Sequence, residues 1–204
     1  MKPALSVLAS ALLIGLPTAQ AAPAKVGEAA PAFTLTDSTG AERSLADFAG
    51  KTVVLEWTNH ECPFVKKHYN AANIPSQQRE AVDDDVVWLV LNSSAPGKQG
   101  HVDGATANRI QANWKAAQTH YLFDTDGSVG RAYAAKTTPH MYIIDPEGVL
   151  RYAGAIDSIP SADTGDIPEA TQYVPQALAE LAAGKPVSLS TSQPYGCSIK
   201  YKDA

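Results

Sequence analysis

The sequence predicts an α/β domain: a small mixed sheet with helices on both faces, followed by a polar tail. Three observations carry that expectation. Thr52-Val53-Val54-Leu55-Glu56-Trp57 and Val86-Val87-Trp88-Leu89-Val90-Leu91 are short, mostly apolar runs, the pattern of strands buried on both faces. A helical segment lies between them, so they suit a parallel pair. Further on, Asp145-Pro146-Glu147-Gly148 separates two more apolar runs and is the strongest hairpin signal in the chain.

The elements follow in order. Met1 to Ala21 has a leader pattern: Lys2 supplies a positive start, Ala4 to Leu16 is almost wholly apolar, and Ala19-Gln20-Ala21 is a small-x-small cleavage site before Ala22. The apolar run is short of the roughly 20 residues that span a bilayer. The expected product is an exported protein of a bacterial periplasm, free of the membrane after cleavage. Ala22 to Pro31, rich in Ala and Pro, reads as an extended linker. Phe33 to Thr36 alternates, Asp37 to Gly40 turns, and Ser44 to Phe48 reads as a capped helical turn. After the first buried run a helix starts near Cys62 and breaks or kinks around Pro75. A second helix spans Asp103 to about Ala117, and Tyr121-Leu122-Phe123 leads into the turn Asp124-Thr125-Asp126-Gly127. That turn lacks the Gly and Glu that a calcium loop needs at its sixth and twelfth positions. A short helix through Tyr133, the hairpin of Met141–Ile144 with Val149–Ala153, and a last helix from Ala170 to Ala183 complete the series. The expected organisation is a leader over 1–21, one domain over 22–183 and a tail over 184–204.

Composition narrows the function. The chain has 204 residues, 45% of them hydrophobic and 18% charged, which excludes a disordered polymer. Its net charge is −5 without a basic stripe, so no nucleic-acid partner is expected. Two cysteines, Cys62 and Cys197, are too few for a disulfide-dense scaffold or a four-thiolate zinc site. No Gly-rich phosphate loop and no Ser/His/Asp signature is present, and no cofactor is expected.

Cys62 follows a buried strand and precedes Pro63. Proline suits the first position of a helix, where its missing N–H would be unpaired anyway. The sulfur then sits beside free backbone N–H groups at the positive end of a helix dipole, which favours thiolate, the reactive form. The alternative is a buried, inert cysteine. His60 is placed to assist proton transfer, Glu61 to oppose thiolate by like charge, and Lys66 and Lys67 either favour it or sit on a solvated face. Trp57 reads as core packing at the rim of the site. Another set, His60, Cys62, His68, His140 and Cys197, offers thiolate and imidazole ligands for copper or zinc without a standard spacing, and no metal is assigned.

Val53 to Lys67 resembles the active-site segment of the thioredoxin superfamily, with Cys62 at the first position of its CxxC motif and Val65 at the second. Thr138-Pro139 resembles the family's cis-proline loop. The opening from Val26 to Phe48 looks like that of redoxin domains. Cys62-Pro63-Phe64-Val65-Lys66-Lys67-His68-Tyr69, Lys136 to Met141, and Gln193 to Tyr201 are similar to segments of exported peroxiredoxin-like redoxins. The resemblance covers about residues 24–183 and implies a thioredoxin-like fold, with Thr138 and Pro139 forming the wall beside the Cys62 sulfur. It implies thiol–disulfide exchange or a related antioxidant chemistry, with a thiol or disulfide protein, or a small-molecule oxidant, as partner. Peroxide reduction is the rival activity, but Asn59 stands where peroxidases carry Thr. A rival outside catalysis is a copper- or partner-binding module with a structural disulfide. Because Val65 leaves the local partner missing, Cys197 becomes the candidate resolving cysteine. A permanent staple and an unpaired thiol are its alternatives.

Overall fold

The computed structural model describes residues 23–203. The expected leader lies outside them. Among these residues, nine strands and five α-helices follow one another: β1 Thr34–Asp37, β2 Glu42–Ser44, β3 Val53–Trp57, α1 Pro63–Asn70, α2 Asn73–Asp83, β4 Val87–Asn92, α3 Gly104–Asn113, β5 His120–Phe123, α4 Ser128–Ala132, β6 Thr137–Thr138, β7 His140–Ile144, β8 Leu150–Gly154, α5 Tyr173–Ala182 and β9 Cys197–Ser198. Seven strands form one sheet in the order β2-β1-β5-β4-β3-β7-β8. The pairs β3–β4 and β4–β5 are parallel, and the remaining pairs antiparallel, so the sheet is mixed as expected.

The period-2 rule divides the central strands between two cores. Val54, Trp88, Val90, Met141 and Ile143 face α1, α2, α3 and α5, whose Val65, Tyr69, Ile74, Ala81, Ala107, Val174 and Ala177 close one cluster. Val53, Leu55, Trp57, Leu89, Leu91, Tyr142 and Ile144 face the other side, covered by Val129 and Tyr133 of the α4 region and by Phe33, Leu45 and Phe48. Each fully buried large apolar side chain contributes about 1.5–3 kcal/mol. With both faces covered, β3 and β4 have no solvated side, hence their near-continuous apolar sequence.

Local signals explain most boundaries. Asp103 caps α3 by accepting from the Thr106 N–H at 2.7 Å, and Asp47 and Ser44 form a capping box on the 3-10 turn Leu45–Phe48. The break expected at Pro75 falls upstream, at Ala71–Ala72, where Ala72 takes a left-handed φ of 56°. Pro75 sits in the first turn of α2, where a proline removes no helical hydrogen bond.

One expectation needs correction. The lead-in is a docked segment, not a free linker: Ala24 N–H donates to Ala132, Gly27 to Leu150 and Ala30 to Gly148. The tail also docks on the domain at several points. Thr191 bridges to Ala153, and the Ser192 hydroxyl accepts from the Ala155 N–H at 2.9 Å. Strand β9 then pairs antiparallel with β6, and the Tyr201 hydroxyl donates to Ala135 at 2.9 Å. Periodicity cannot register such contacts, because the extended segments satisfy their backbone groups on distant partners.

Candidate active site

The site forms where β3 hands over to α1. Thr58 N–H donates to Leu91 at 2.9 Å, continuing the parallel ladder one residue past β3. The Asn59 side chain then accepts from the Glu61 N–H at 2.9 Å, and its carbonyl accepts from the Cys62 N–H at 3.0 Å. This short Asx turn delivers Cys62 as the N-cap residue of α1, in extended conformation, with Pro63 next. A helix start leaves its first N–H groups unpaired, and the N-cap position sets the Cys62 sulfur at that positive end of α1.

Across the sheet, the loop before β7 supplies the opposite wall. The Thr138–Pro139 peptide is cis, and the Cys62 thiol donates to the Thr138 carbonyl at 3.1 Å. Thr138 is also the register partner of Cys197, which sets Cys197 against the same loop and near enough for the two thiols to perturb each other's titration. Both cysteines are reduced, and Cys62 is 0% exposed.

The two sulfurs are not equivalent. Burial works against the Cys62 thiolate, but hydrogen bonds from the Cys197 thiol, the Val65 N–H and the Thr138 side chain outweigh it and hold its pKa below the ordinary thiol value. Burial and the neighbouring Cys62 push the Cys197 thiol well above that value. Cys62 is thus the better nucleophile, and Cys197 stays protonated until the charge beside it is discharged.

Of the residues singled out by sequence, Cys62, Thr138, Pro139 and Cys197 come together. The His60 ring forms no hydrogen bond to either sulfur among the described residues, and its buried Nδ1 has no partner there. Burial lowers its pKa, against a raising effect of Glu61. Glu61 itself turns away to accept from the Gly100 N–H at 2.8 Å. His68 and His140, offered as metal ligands, are engaged elsewhere: His68 with Asn73 and Tyr195, His140 with the Lys136 N–H and the Tyr142 hydroxyl. Among the described residues no group of three His, Cys, Asp or Glu side chains is placed to hold a metal. Lys67 corrects the solvated-face reading: its side chain is 0% exposed, with Nζ 3.8 Å from Asp157 Oδ2 and 3.4 Å from the Ile159 carbonyl. Trp57 is core, its Nε1 donating to the Ser93 hydroxyl at 2.9 Å.

Sequence reasoning missed two features. Glu56, a lone acid in an apolar strand, was visible as a mismatch. It is fully buried and accepts from the Tyr69 hydroxyl (2.8 Å), Trp88 Nε1 (2.9 Å) and Gln78 Nε2 (3.3 Å). Burial nonetheless lifts its pKa to about 7, against those three hydrogen bonds. The second is the set His68, Asp157 and Tyr195, scattered over the chain and joined only by folding.

The sequence matches the Redoxin family model over residues 25–174. The chain belongs to the Redoxin family. That membership makes it an oxidoreductase. No curated relative matches the sequence. An uncharacterized conserved protein of Geobacillus kaustophilus is similar in structure, with a TM-score of 0.75 at 25% identity over 88% of this chain and 94% of that one. A hypothetical protein of Sinorhizobium meliloti gives 0.74 at 22% identity over 88% and 96%. A putative thiol:disulfide interchange protein DsbE of Chlorobium tepidum gives 0.52 at 22% identity over 64% and 84%. These likenesses show that the redoxin has the thioredoxin-like fold, with its mixed sheet between two helical layers.

Proposed function

We propose that this redoxin is a thiol–disulfide oxidoreductase in which Cys62 is the attacking thiolate and Cys197, on the tail, resolves the mixed disulfide. One observation carries the reading: the tail pairs Cys197 with Thr138, the residue whose carbonyl receives the Cys62 thiol. A resolving thiol absent from the local motif is thereby supplied through space. In the forward step the Cys62 thiolate attacks one sulfur of a substrate disulfide. A Cys62–substrate disulfide forms and the other substrate sulfur leaves as thiolate. Cys197, losing its proton to that leaving thiolate or to solvent, then attacks Cys62. The second substrate sulfur departs, and the Cys62–Cys197 disulfide holds the two electrons' worth of oxidation until an external dithiol reduces it. Thr138 and Pro139 wall the sulfur, and His60 is a proton-transfer helper at the loop rim.

The substrate class is a protein disulfide or a small disulfide, and the leader pattern over 1–21 assigns the work to the periplasm, where disulfides persist. No helix among the described residues is long and apolar enough to cross a membrane. The domain then runs from residue 22 to 183, with 184–204 as its redox tail.

A mixed-disulfide trap tests the assignment. Reduced Cys197→Ser protein exposed to glutathione disulfide is expected to accumulate a glutathione adduct on Cys62, whereas wild type turns the adduct over to its internal disulfide. No adduct on Cys62 in that variant, or an adduct that forms as readily on Cys197 of Cys62→Ser protein, overturns the reading. Rapid reduction of hydrogen peroxide with no disulfide exchange would move the assignment to a thiol peroxidase.

A further inference from the structure

Three consecutive tail residues make three separate contacts around the nucleophile. Cys197 pairs with Thr138. Gly196, at φ +128°, lies so close to the same loop that a Cβ there would stand 2.0 Å from the Thr138 carbonyl oxygen. Only glycine fits both the backbone angle and that approach. Tyr195 goes the other way, into the base of the Cys62 helix. Its ring meets Phe64 edge-on at 5.8 Å between centroids, and its hydroxyl donates to Asp157 Oδ1.

That hydroxyl is also 3.1 Å from His68 Nε2, and Asn73 Nδ2 stands 2.9 Å from His68 Nδ1. One arrangement of protons satisfies every contact. Asn73 donates to Nδ1 of a neutral His68, Nε2–H donates to the Tyr195 oxygen, and Tyr195 donates to Asp157. Phe64 and His68 both belong to α1, so the element that carries Cys62 also carries the socket that receives the tail two residues before Cys197. Cys62, 0% exposed, belongs to the buried cluster against which Tyr195 and Cys197 pack.

We infer that Tyr195 is the positioning residue of the redox pair, a catch that seats the tail on α1 and so holds Cys197 against Cys62 while covering Cys62 from solvent. The inference rests on the proposed role of Cys197 for its redox consequence, though the covering of Cys62 does not depend on that role. Opening the catch lets a substrate disulfide reach Cys62, and closing it delivers the resolving thiol. Opening breaks and closing makes the same Tyr195 contacts, so weakening them has opposite effects on access and on resolution.

The test uses the full mature chain and two readouts: the equilibrium of the Cys62–Cys197 disulfide against glutathione, and the rate at which iodoacetamide alkylates Cys62 in reduced protein, located by peptide mass. Tyr195→Phe keeps the ring on Phe64 and removes the hydroxyl. It is expected to make the disulfide about tenfold easier to reduce, roughly 30 mV for a two-electron couple, and to speed Cys62 alkylation severalfold. Gly196→Ala, whose added Cβ would push the tail off the Thr138 carbonyl while leaving the Tyr195 contacts chemically intact, is expected to shift both readouts in the same direction. Tyr201→Phe, which loosens the tail at its far anchor on Ala135, is expected to leave both within about twofold. The catch is refuted if Tyr195→Phe retains both wild-type values, or if Tyr201→Phe matches it. If wild type forms no Cys62–Cys197 disulfide, the resolving role fails, and the alkylation rates alone decide whether Tyr195 closes the tail over Cys62.

Discussion

Thr138 and Cys197 are antiparallel register partners, and the Thr138 carbonyl at that pair also accepts the Cys62 thiol at 3.1 Å. A single residue of the cis-proline loop therefore aligns two cysteines, one at the start of α1 in the domain and one on the tail, that lie far apart in the sequence. Proximity of this kind raises the effective concentration of the resolving thiol without any covalent link between the segments.

The first prediction concerns the nucleophile's titration. Hydrogen bonds to the Cys62 sulfur, with the Cys197 thiol the largest of them, hold its pKa below the ordinary value against burial. The pH profile of Cys62 alkylation should have its inflection below that of a free cysteine. Cys197→Ala should move it upward, because a donor to the thiolate is lost. An unmoved inflection in that variant removes Cys197 from the electrostatics of the site.

Reversibility is the second. A cycling disulfide must be reducible by cellular dithiols, so the Cys62–Cys197 pair should equilibrate with glutathione at a potential above about −300 mV. A lower value, measured by quantifying oxidised protein across glutathione ratios, identifies a structural staple. In the chain-entropy model a staple closing so long a loop adds about 4–5 kcal/mol.

Glu56 supplies a pH prediction with a definite sign. Its folded pKa is raised to about 7 from an ordinary 4.5, so the folded state keeps a proton that the unfolded state has released. Stability from this group is full below the ordinary value and is lost as pH rises through 7, a change of about 3 kcal/mol. Glu56→Gln can accept from Trp88 and Gln78 through its oxygen and donate to Tyr69, and should flatten that part of the profile. Urea midpoints from pH 4 to 8 measure it, and equal slopes in the two proteins would sink the assignment.

Lys67 tests the buried charge beneath the tail. Its Nζ stands 3.8 Å from Asp157 Oδ2, with both side chains 0% exposed, and that oxygen has no hydrogen-bond partner among the described residues. Lys67→Met should cost about 3 kcal/mol by leaving the carboxylate without its counter-charge, and Asp157→Asn in the same chain should recover part of that loss. Denaturant unfolding of the single and double variants checks the coupling; additive losses contradict it.

Much of this was legible in the chain. The buried runs at Val53 and Val87, the cap at Asp103 and the hairpin turn at Asp145 are local signals, readable because side-chain period and turn chemistry act over a few residues. Cys62 was legible too, since a cysteine before proline at a strand-to-helix junction has few conformations open to it. Glu56 broke the apolar pattern of its strand, but the three donors that hold it come from α1, α2 and β4. Lys67 looked like a surface charge because helical position does not reveal that residue 157 will lie beside it.

The sequence by itself determined the α/β class, the thiolate-favouring position of Cys62 and the existence of one candidate partner thiol. These rest on short-range sterics and on a count. Only the tertiary structure decided that the tail is bound, that Thr138 meets both cysteines, and that Tyr195 inserts between Asp157 and His68. The physical reason is range: backbone pairing and buried hydrogen bonds join residues far apart in sequence, at a distance over which no periodicity persists.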